Sequence, residues 1–397
     1  MSDMLGLNQT LDKFHSKNAT PQRDPVSYTK LFNYVTEVVK KVGEIAPQFK
    51  PKELVLVGSS ASDVSAIRAQ EMDRLLLIDI KGKVENIDRL HEFAKLKVDS
   101  SVQAVWKECI NEEGYLEPRK VSTMFKKIVD KATRLVNDEN KSGYSGITDP
   151  AYQIEIGDGC SVALAISGSF GPANWAFGNT KCDLVLEIDC EGIPPTRLAS
   201  WLENKDKKNE QWPAFETVET IQNGNGYGLV AKTLHGGIKK HIDSYDASLL
   251  WQYSVSRAES CLLKNCNDQL TYKKLLVILK AVRTYEIPEK RLSETPVLSS
   301  YHMKTIFLHE AHAHPDPKDW HESKLAERFV SAFNRLLLNI KEEKLPHFFF
   351  PDVNLFKGGQ DVMIGNITQM LDDPIKYIKD LTSSNIKPFE SPFAGMQ

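Results

Sequence analysis

Hydrophobic positions in the first part of the chain follow a helical spacing and then a strand-like spacing. Between Ser27 and Ile45, apolar residues recur at three- and four-residue steps, at Leu31, Val35, Val38, Val39 and Val42. This spacing predicts one long amphipathic helix. The short apolar runs Leu54–Val57 and Met72–Ile80 predict two buried strands. Residues 1–24 are polar and show no sustained period, and we interpret them as a flexible N-terminal tail.

Residues 117–136 predict a second long helix whose two faces differ. One face is apolar and carries Val121, Phe125, Ile128, Ala132 and Leu135. A second face is basic, because helical geometry aligns Lys120, Lys127, Lys131 and Arg134. This basic stripe has two open interpretations: it contacts a nucleic-acid backbone, or it is a solvated helix surface.

The pattern changes near residue 250. Before it, strands are predicted at Tyr152–Ile156, Cys160–Ile166 and Cys182–Ile188, with a Gly-, Asn- and Pro-rich loop at Gly168–Thr180. After it, helical periods dominate, at Trp251–Lys264, Tyr272–Arg283, Ser300–His309 and Ser323–Lys341. We therefore expect an α+β protein with two lobes. A core with a spine helix and a twisted mixed sheet would span residues 25–250, and a helical C-terminal lobe would span residues 251–397.

The composition is that of a folded protein with balanced charge. The chain has 397 residues, of which 41% are hydrophobic and 26% are charged. Its 50 basic and 53 acidic residues give a net charge of −3. Such a chain is neither disordered nor a uniformly basic nucleic-acid coat protein. The length exceeds that of a typical single hydrophobic core, which also favours two lobes.

The sequence favours a cytoplasmic location. No apolar run approaches the ~20 residues of a membrane span. The N-terminus lacks the basic and apolar regions of a secretory signal. The six cysteines are too few for a disulfide scaffold, and they are scattered at Cys109, Cys160, Cys182, Cys190, Cys261 and Cys266. We expect a reduced, cytoplasmic protein.

Two acidic residues beside a predicted strand are the first candidates for chemistry. Glu71 and Asp73 are two positions apart, so in a strand their side chains point to the same face. Carboxylates at that separation repel each other unless a cation lies between them. Mg²⁺ takes oxygen ligands and substrate phosphates, and it is the expected cation. Taken alone, such a pair is more often a solvated strand end.

Two further features turn this pair into a candidate active site. Asp183 opens another predicted strand, and three carboxylates can hold two metal ions that activate a hydroxyl and stabilise a leaving pyrophosphate. Gly58 and Ser59 end the strand before the acidic pair. Their backbone N–H groups and the hydroxyl can contact a triphosphate, and the glycine permits close approach.

Four blocks of sequence resemble the motifs of one protein family. They are Gly58-Ser59 with Glu71-x-Asp73, the Trp-x-x-Ser-x-Ser-x-x-Glu motif at Trp251–Glu259, the Ser-Ser-Tyr-His-x-Lys-Thr motif within Leu298–Thr305, and Trp320 followed by Leu345–Phe356. In this order they resemble the cGAS-like receptors and their Mab-21-like relatives, a branch of the nucleotidyltransferase superfamily. The supporting residues extend over most of the chain.

The resemblance implies a template-independent enzyme that joins ATP and GTP into a cyclic dinucleotide after binding double-stranded nucleic acid. By motif position, Glu71, Asp73 and Asp183 would hold two Mg²⁺ or Mn²⁺ ions. Gly58 and Ser59 would close over the triphosphate. The family setting implies innate antiviral immunity, with a STING-type receptor reading the product and no membrane partner.

Four further residues match nucleotide-binding positions of the family. Lys280 matches a lysine that reaches the donor phosphates. Tyr301 matches a tyrosine that stacks on a nucleobase, which any aromatic face can do without strong base preference. Ser254 and Ser256 are retained and would hydrogen-bond a base or a phosphate.

Several residues depart from the family pattern. The Cys/His insertion of the vertebrate DNA sensor is absent, and Cys261 and Cys266 offer two of the four ligands of a structural zinc site, so no zinc is expected. Gln252 replaces an arginine that reads a purine, and Val57 and Val185 replace threonines. Base selectivity therefore stays open. The missing zinc insertion favours double-stranded RNA as the ligand of the basic stripe, since its shape and 2′-hydroxyls can be read without base contacts.

Two other segments do not match the motifs they suggest. The histidines in His309–His314 lack the one-turn spacing of a zinc protease. The glycines of Asn223–Gly228 follow no predicted strand, and we interpret them as a loop. Two alternatives to a cyclic dinucleotide synthase stay open: a catalytically silent Mab-type module that binds nucleotides or a partner, and an enzyme that makes linear oligonucleotides.

Overall fold

The computed structural model describes the chain in fourteen segments, residues 2–19, 25–66, 71–88, 90–141, 151–155, 161–167, 180–190, 195, 198–202, 211–223, 226–232, 247–286, 298–356 and 361–383. Its strands are β1 Glu53–Val57, β2 Glu71–Ile78, β3 Gly82–Asn86, β4 Phe93–Val98, β5 Ala151–Glu155, β6 Ser161–Ser167, β7 Thr180–Asp189, β8 Gly228–Val230 and β9 Trp251–Ser254.

Helices precede, separate and follow these strands along the chain. The helices before residue 250 are α1 Ser2–Phe14, α2 Pro25–Ile45, α3 Gly58–Ala61, α4 Gln103–Trp106, α5 Pro118–Lys141 and α6 Phe215–Gln222. The C-terminal half contains α7 Ser256–Lys264, α8 Tyr272–Glu286, α9 Ser300–Ala313, α10 Leu325–Lys341, α11 Asp361–Asp372 and α12 Pro374–Ser383. A turn of π-helix, His15–Ala19, follows α1.

The nine described strands form one mixed sheet. The strand order is β1-β2-β7-β8-β9-β4-β3, and β6 pairs with both β5 and β7. β2 and β7 are parallel, whereas the other described pairs are antiparallel. With the helices that follow, this arrangement confirms the predicted α+β class. The division of the chain at residue 250 stays a prediction.

The spine helix α2 covers one face of the sheet. Its buried positions match the predicted spacing, at Leu31, Val35, Val38, Val39 and Val42. They join the same core cluster as Met72 and Leu76 of β2. α5 packs along α2, and the Tyr34 hydroxyl donates to Asn137 Oδ1 at 3.0 Å. The predicted helix at 27–45 and the helix at 117–136 are both confirmed.

The opposite face of the sheet carries a small apolar cluster. Val57, Leu75 and Leu77 are buried there, with Val55 and Val185 packed beside them. These residues share a face because directly paired positions and alternate residues of neighbouring strands point the same way. This face lies toward α3 and α7.

The helical region has a buried charge cluster. Glu310 of α9 is fully buried and accepts from Arg328 at 3.0 Å and from Arg335 at 3.3 Å. Both arginines belong to α10, so the cluster joins the two helices. None of the described helices is long and apolar enough to cross a bilayer.

The interpretation of the N-terminus as a flexible tail is wrong for residues 2–19. These form α1 and the π-turn, and Leu7, Leu11 and Phe14 are fully buried. Asn8 Nδ2 donates to the Glu322 carbonyl at 3.0 Å. α1 packs on α10 and α12, so it belongs to the helical region of the structure. Residues 20–24 lie outside the described residues.

The prediction of one helix over Trp251–Lys264 is also wrong in part. Residues Trp251–Ser254 form strand β9, and the helix starts at Ser256. The alternating residues Trp251 and Tyr253 are both buried, which is strand spacing. The short strands β3, β4 and β8 were not predicted. Residues 168–179 of the predicted loop Gly168–Thr180 lie outside the described part of the chain, and Thr180 is the first residue of β7.

Substituting Leu11→Ala tests the docking of α1. Leu11 is 0% exposed, so its truncation is expected to cost about 2–5 kcal/mol of stability and to lower the Tm by several degrees. Leu5→Ala on the same helix is the matched control, because Leu5 is 62% exposed. Thermal unfolding followed by circular dichroism measures both. Equal Tm values for the two variants would show that α1 is not docked.

Candidate active site

Asp73 and Asp183 lie side by side on the two parallel strands. In the β2–β7 register Asp73 pairs with Asp183, so their Cα atoms are about 4.8 Å apart. Both carboxylates point to the face that carries the Val57 cluster, because Val57 pairs with Asp73 on the other side. A pair of carboxylates this close fits a hard divalent cation.

Glu71 is the first residue of β2 and pairs with Lys181. Its position in a strand, two residues before Asp73, agrees with the predicted spacing. The Glu71 side chain lies outside what the structure describes. Among the described side chains, no group of three or more His, Cys, Asp or Glu residues could hold a metal ion. The third ligand of the predicted set therefore stays a prediction.

Gly58 begins the turn that follows β1, and only glycine fits there. Its φ is +73°, in the left-handed region. A Cβ at this position would lie 2.3 Å from Asp73 Oδ2. The backbone of the turn therefore lies directly against the Asp73 carboxylate. The sequence predicted close approach of a phosphate at this glycine, and the structure adds the approach of Asp73.

Lys280 of α8 reaches across to the same turn. Its Nζ donates to Ser59 Oγ at 2.7 Å and to the Val64 carbonyl at 3.0 Å. The side chain is buried, and this burial, together with the nearby Lys304 ammonium, lowers the Lys280 pKa to about 7. Thus Gly58, Ser59, Asp73 and Lys280 meet in one place, although 221 positions separate Ser59 from Lys280.

Tyr301 belongs to a second group of polar residues in the helical region. Its hydroxyl lies 2.7 Å from His347 Nε2, and Lys304 Nζ lies 5.0 Å from its ring centroid. Lys304 forms an ion pair with the buried Glu259. Burial raises the pKa of Tyr301 and lowers that of His347 to about 4, so both are neutral at pH 7.

Three members of this group were not singled out from the sequence: Lys304, Glu259 and His347. All three lie inside the quoted motif blocks, within Leu298–Thr305, Trp251–Glu259 and Leu345–Phe356. Their place in the motifs was the signal that could have found them. Their contacts with Tyr301 depend on the folding of three separate segments.

The two candidate serines lie at the junction of β9 and α7. Ser254 is the last residue of β9 and is buried, whereas Ser256 is the first residue of α7. The Ser256 N–H lies 3.5 Å from Ser254 Oγ. α7 also contacts the α3 turn, which brings this junction close to Gly58 and Ser59.

The predicted basic stripe lies on the exposed face of α5. Lys120, Lys127, Lys131 and Arg134 are all exposed. Two of them form local ion pairs: Lys120 with Glu117, just before the helix, at 2.7 Å, and Arg134 with Asp130 at 2.9 Å. Lys127 and Lys131 have no ion-pair partner among the described residues. One expectation is corrected here, since Leu135 is 38% exposed and does not belong to the buried face.

The other histidine and cysteine candidates make structural contacts. His309 Nε2 lies 2.9 Å from the Pro346 carbonyl, and His314 Nε2 lies 3.3 Å from Glu310. The Cys266 thiol is buried and donates to the Leu262 carbonyl. The five described cysteines are free thiols, and Cys160 lies outside the described residues.

Two family models match the chain. The Mab-21 protein nucleotidyltransferase domain matches residues 67–265, and the Mab-21 protein HhH/H2TH-like domain matches residues 271–373. The first match includes the three candidate carboxylates and both serines, and the second includes Lys280 and Tyr301. Gly58 and Ser59 lie before the first match, so their assignment depends on their contacts with Asp73 and Lys280.

The low pKa of Lys280 predicts a pH dependence of triphosphate binding. A bound triphosphate favours the ammonium form, which the free protein holds fully only below pH 7. Affinity is therefore expected to fall as the pH rises above 7, by up to about tenfold per pH unit. Calorimetry with a non-hydrolysable ATP analogue from pH 6.5 to 8.5 measures this. Lys280→Met is expected to bind more weakly with a flatter profile, and an equally steep profile would contradict the assignment.

Proposed function

This chain belongs to the Mab-21 family of nucleotidyltransferase proteins, and we propose that it is a nucleic-acid-activated synthase that joins ATP and GTP into a cyclic dinucleotide. The family places it among nucleotidyltransferase-type proteins. The finer proposal is supported mainly by one observation: Asp73 and Asp183 are paired in register, the Gly58–Ser59 turn lies against Asp73, and Lys280 donates to Ser59 of that turn.

The donor set of the site fits divalent metal ions. Asp73 and Asp183, with Glu71 as the proposed third ligand, offer carboxylate oxygens, which Mg²⁺ and Mn²⁺ prefer. When bound, such ions supply positive charge that acidifies an attacking hydroxyl and stabilises a leaving pyrophosphate. The contribution of the chain is to fix the two carboxylates on a rigid sheet. The parallel register holds their spacing without any help from a ligand.

The Gly58–Ser59 turn and Lys280 are proposed to bind the triphosphate. Lys280 Nζ donates to the Ser59 hydroxyl and to the Val64 carbonyl. Both acceptors are neutral. A phosphate oxygen is a stronger acceptor for an ammonium than either of them, because the pair is then charge-assisted. Lys280 is therefore placed to exchange neutral partners for a phosphate.

The Tyr301 group is proposed to bind a nucleobase. Its ring offers a face for stacking, and the Lys304 ammonium beside it is held by Glu259. Stacking alone tolerates either purine. The choice between ATP and GTP therefore depends on the hydrogen-bonding groups around the ring, among which we place Ser254 and Ser256.

The activator is proposed to be double-stranded RNA bound along α5. Lys127 and Lys131 are exposed and lie one helical turn apart, a spacing suited to phosphate contacts along a backbone. The product would be read by a STING-type receptor in innate antiviral defence. The free thiols of the described cysteines fit the reducing cytoplasm that this role requires.

A catalytically silent nucleotide-binding module is the second candidate function. The observation that favours it is the engagement of Lys280 by the Ser59 turn, which occupies the phosphate-binding group with the protein itself. The retained Asp73 and Asp183 favour the enzyme, because a pure binding module needs no carboxylate pair in register.

Asp73→Asn is expected to abolish product formation while the protein stays folded, because the site loses one charge of the metal-binding pair. The purified protein is incubated with all four NTPs and Mg²⁺ or Mn²⁺, with double-stranded RNA, double-stranded DNA or no nucleic acid. A phosphatase-resistant cyclic dinucleotide is the expected product of the unsubstituted protein.

Asp79→Asn is the matched control, since Asp79 follows the same strand and is exposed. Full activity in Asp73→Asn would exclude it as a metal ligand, and linear products would replace the cyclic assignment.

The double substitution of Lys127 and Lys131 by Glu is expected to remove stimulation by nucleic acid. Each lost phosphate contact lowers the salt dependence of binding, so the slope of log K against log salt should fall by about 2. Nucleotide binding without RNA should not change. The same substitution at the exposed Lys341 and Lys344 is the control for net charge. Unchanged stimulation would place the sensing surface elsewhere.

A further inference from the structure

One arginine next to the candidate site connects a helix to two strands. Arg257 is the second residue of α7. Its Nε donates to Glu187 Oε1 at 2.8 Å, and its Nη2 donates to Asp189 Oδ1 at 2.8 Å. Nη2 also donates to the Tyr227 carbonyl. The guanidinium therefore ties the first turn of α7 to β7 and to the residue that precedes β8.

Glu187, the main partner of Arg257, is a carboxylate whose burial costs desolvation free energy. Its side chain is 0% exposed, and burial raises its pKa, while the charge of Arg257 and the nearby Ser254 hydroxyl oppose that rise. Its second oxygen, Oε2, has no hydrogen-bond partner among the described residues. An apolar side chain of similar size would be cheaper to bury there. Stability alone therefore does not account for a carboxylate at this position.

Gly226 and Gly228 pack closely against the elements that carry Arg257 and Glu187. A Cβ on Gly228 would lie 2.4 Å from Glu187 Cγ. A Cβ on Gly226, whose φ is +131°, would lie 3.0 Å from Ala258 in α7. Because both residues lack a Cβ, the backbone passes close to α7 and Glu187. The Tyr227 carbonyl between them therefore lies within hydrogen-bond distance of Arg257. This accounts for Gly226 and Gly228 of the Asn223–Gly228 segment, and it corrects the interpretation of that segment as a loop at Gly228, which is the first residue of β8.

Glu187 and Arg257 lie on the same elements as the candidate site residues Asp183 and Ser256. Glu187 is four residues after Asp183 on β7, so both side chains point to the same face of the sheet. Arg257 directly follows Ser256, and Asp189, Gly228 and Ser254 pair in one row across β7, β8 and β9. The Arg257–Glu187 pair therefore bridges the element that carries Asp183 and the element that carries the candidate serines.

We infer that Arg257 and Glu187 are positioning residues that fix the distance between the Asp183 strand and the Ser254–Ser256 junction. The inference rests on the proposed function, since it assigns a role in orienting the nucleotide relative to the carboxylates. A forked guanidinium with three acceptors on two elements leaves α7 little freedom to slide along β7. A lysine keeps the charge but cannot make the same fork. Misplacement of a reacting group by about 1 Å can slow a reaction by about a hundredfold.

The test compares Arg257→Lys, Glu187→Gln and the double variant with Arg335→Lys. The control removes a guanidinium from another buried carboxylate, Glu310, in the helical region away from the site. Three quantities are measured on the full chain: kcat and KM for nucleotides, amide hydrogen exchange of α7 and β7, and Mn²⁺ affinity by electron paramagnetic resonance. All are compared at equal folded fraction.

Positioning predicts a split between these readouts. In Arg257→Lys, kcat is expected to fall about tenfold or more while KM changes less than about threefold. Exchange in the first turn of α7 is expected to rise. The double variant should be no worse than the more severe single variant, because both remove one interaction. Arg335→Lys should lose thermal stability without a change in kcat.

Two results would overturn the inference. One is an Arg257→Lys protein with wild-type kcat and wild-type exchange in α7. The other is a loss of stability with unchanged kcat, as in Arg335→Lys, which would make the pair a structural brace. If the wild type makes no product under any condition, the proposed function fails instead. Mn²⁺ affinity then decides the inference, because an affinity that is unchanged in Arg257→Lys at equal folded fraction would refute it and a lowered affinity would support it.

Discussion

The parallel pairing of β2 with β7 is the constraint on which the candidate site depends. It is the parallel pair among otherwise antiparallel described strands, and it joins residues more than a hundred positions apart. A slip of one residue would turn Asp183 to the opposite face, toward the spine helix, and separate it from Asp73. Buried residues on both faces prevent such a slip, because Met72 and Leu76 pack under α2 while Leu75 and Leu77 pack on the other side.

The same alternation connects the candidate site to the outer helices. Asp73 points to the site, and the next residue, Arg74, points to the opposite face. Arg74 is 3% exposed, and its guanidinium carbon lies 3.8 Å from the ring centroid of Phe32 in α2. Burial lowers the pKa of this arginine. Because α5 packs along α2, the helix with the basic stripe is joined through α2 to the strand that carries Asp73.

The sequence was sufficient for elements with a strong period, and insufficient where a single contact decides the structure. The helix α2 and the strands β1, β2 and β7 have apolar patterns that survive in the fold. The helix α1 was missed although Leu7, Leu11 and Phe14 have helical spacing. Three apolar residues in a polar segment are too few to predict a buried helix, and the α10 and α12 surfaces that cover them form only in the fold. β9 was missed because four residues are too few to establish a period, and its strand pairing comes from β4 and β8.

The candidate site residues divide in the same way. Asp73 and Asp183 could be named from the sequence, because strand geometry and motif position both indicate them. The contact of Lys280 with the Ser59 turn and the packing of Gly58 on Asp73 depend on chain segments that meet only in the fold. Nothing in the sequence indicated that Glu187 and Arg257 interact. A charged residue in a strand and another in a helix are ordinary, and only the fold shows that Glu187 is buried and in contact with Arg257.

Charge is unevenly distributed over the candidate site, with carboxylates on the sheet and lysines on the helical side, and this arrangement suits the proposed metal–nucleotide ligand. On the sheet, two carboxylates lie in adjacent register positions, an arrangement that a cation stabilises. On the helical side, burial and the nearby Lys304 ammonium lower the pKa of Lys280, and Glu259 offsets this only in part. The proposed metal-bound triphosphate would present cations to the carboxylates and a phosphate oxygen to Lys280. It would therefore complement both sides of the candidate site at once, which neither a free metal ion nor a free nucleotide can do.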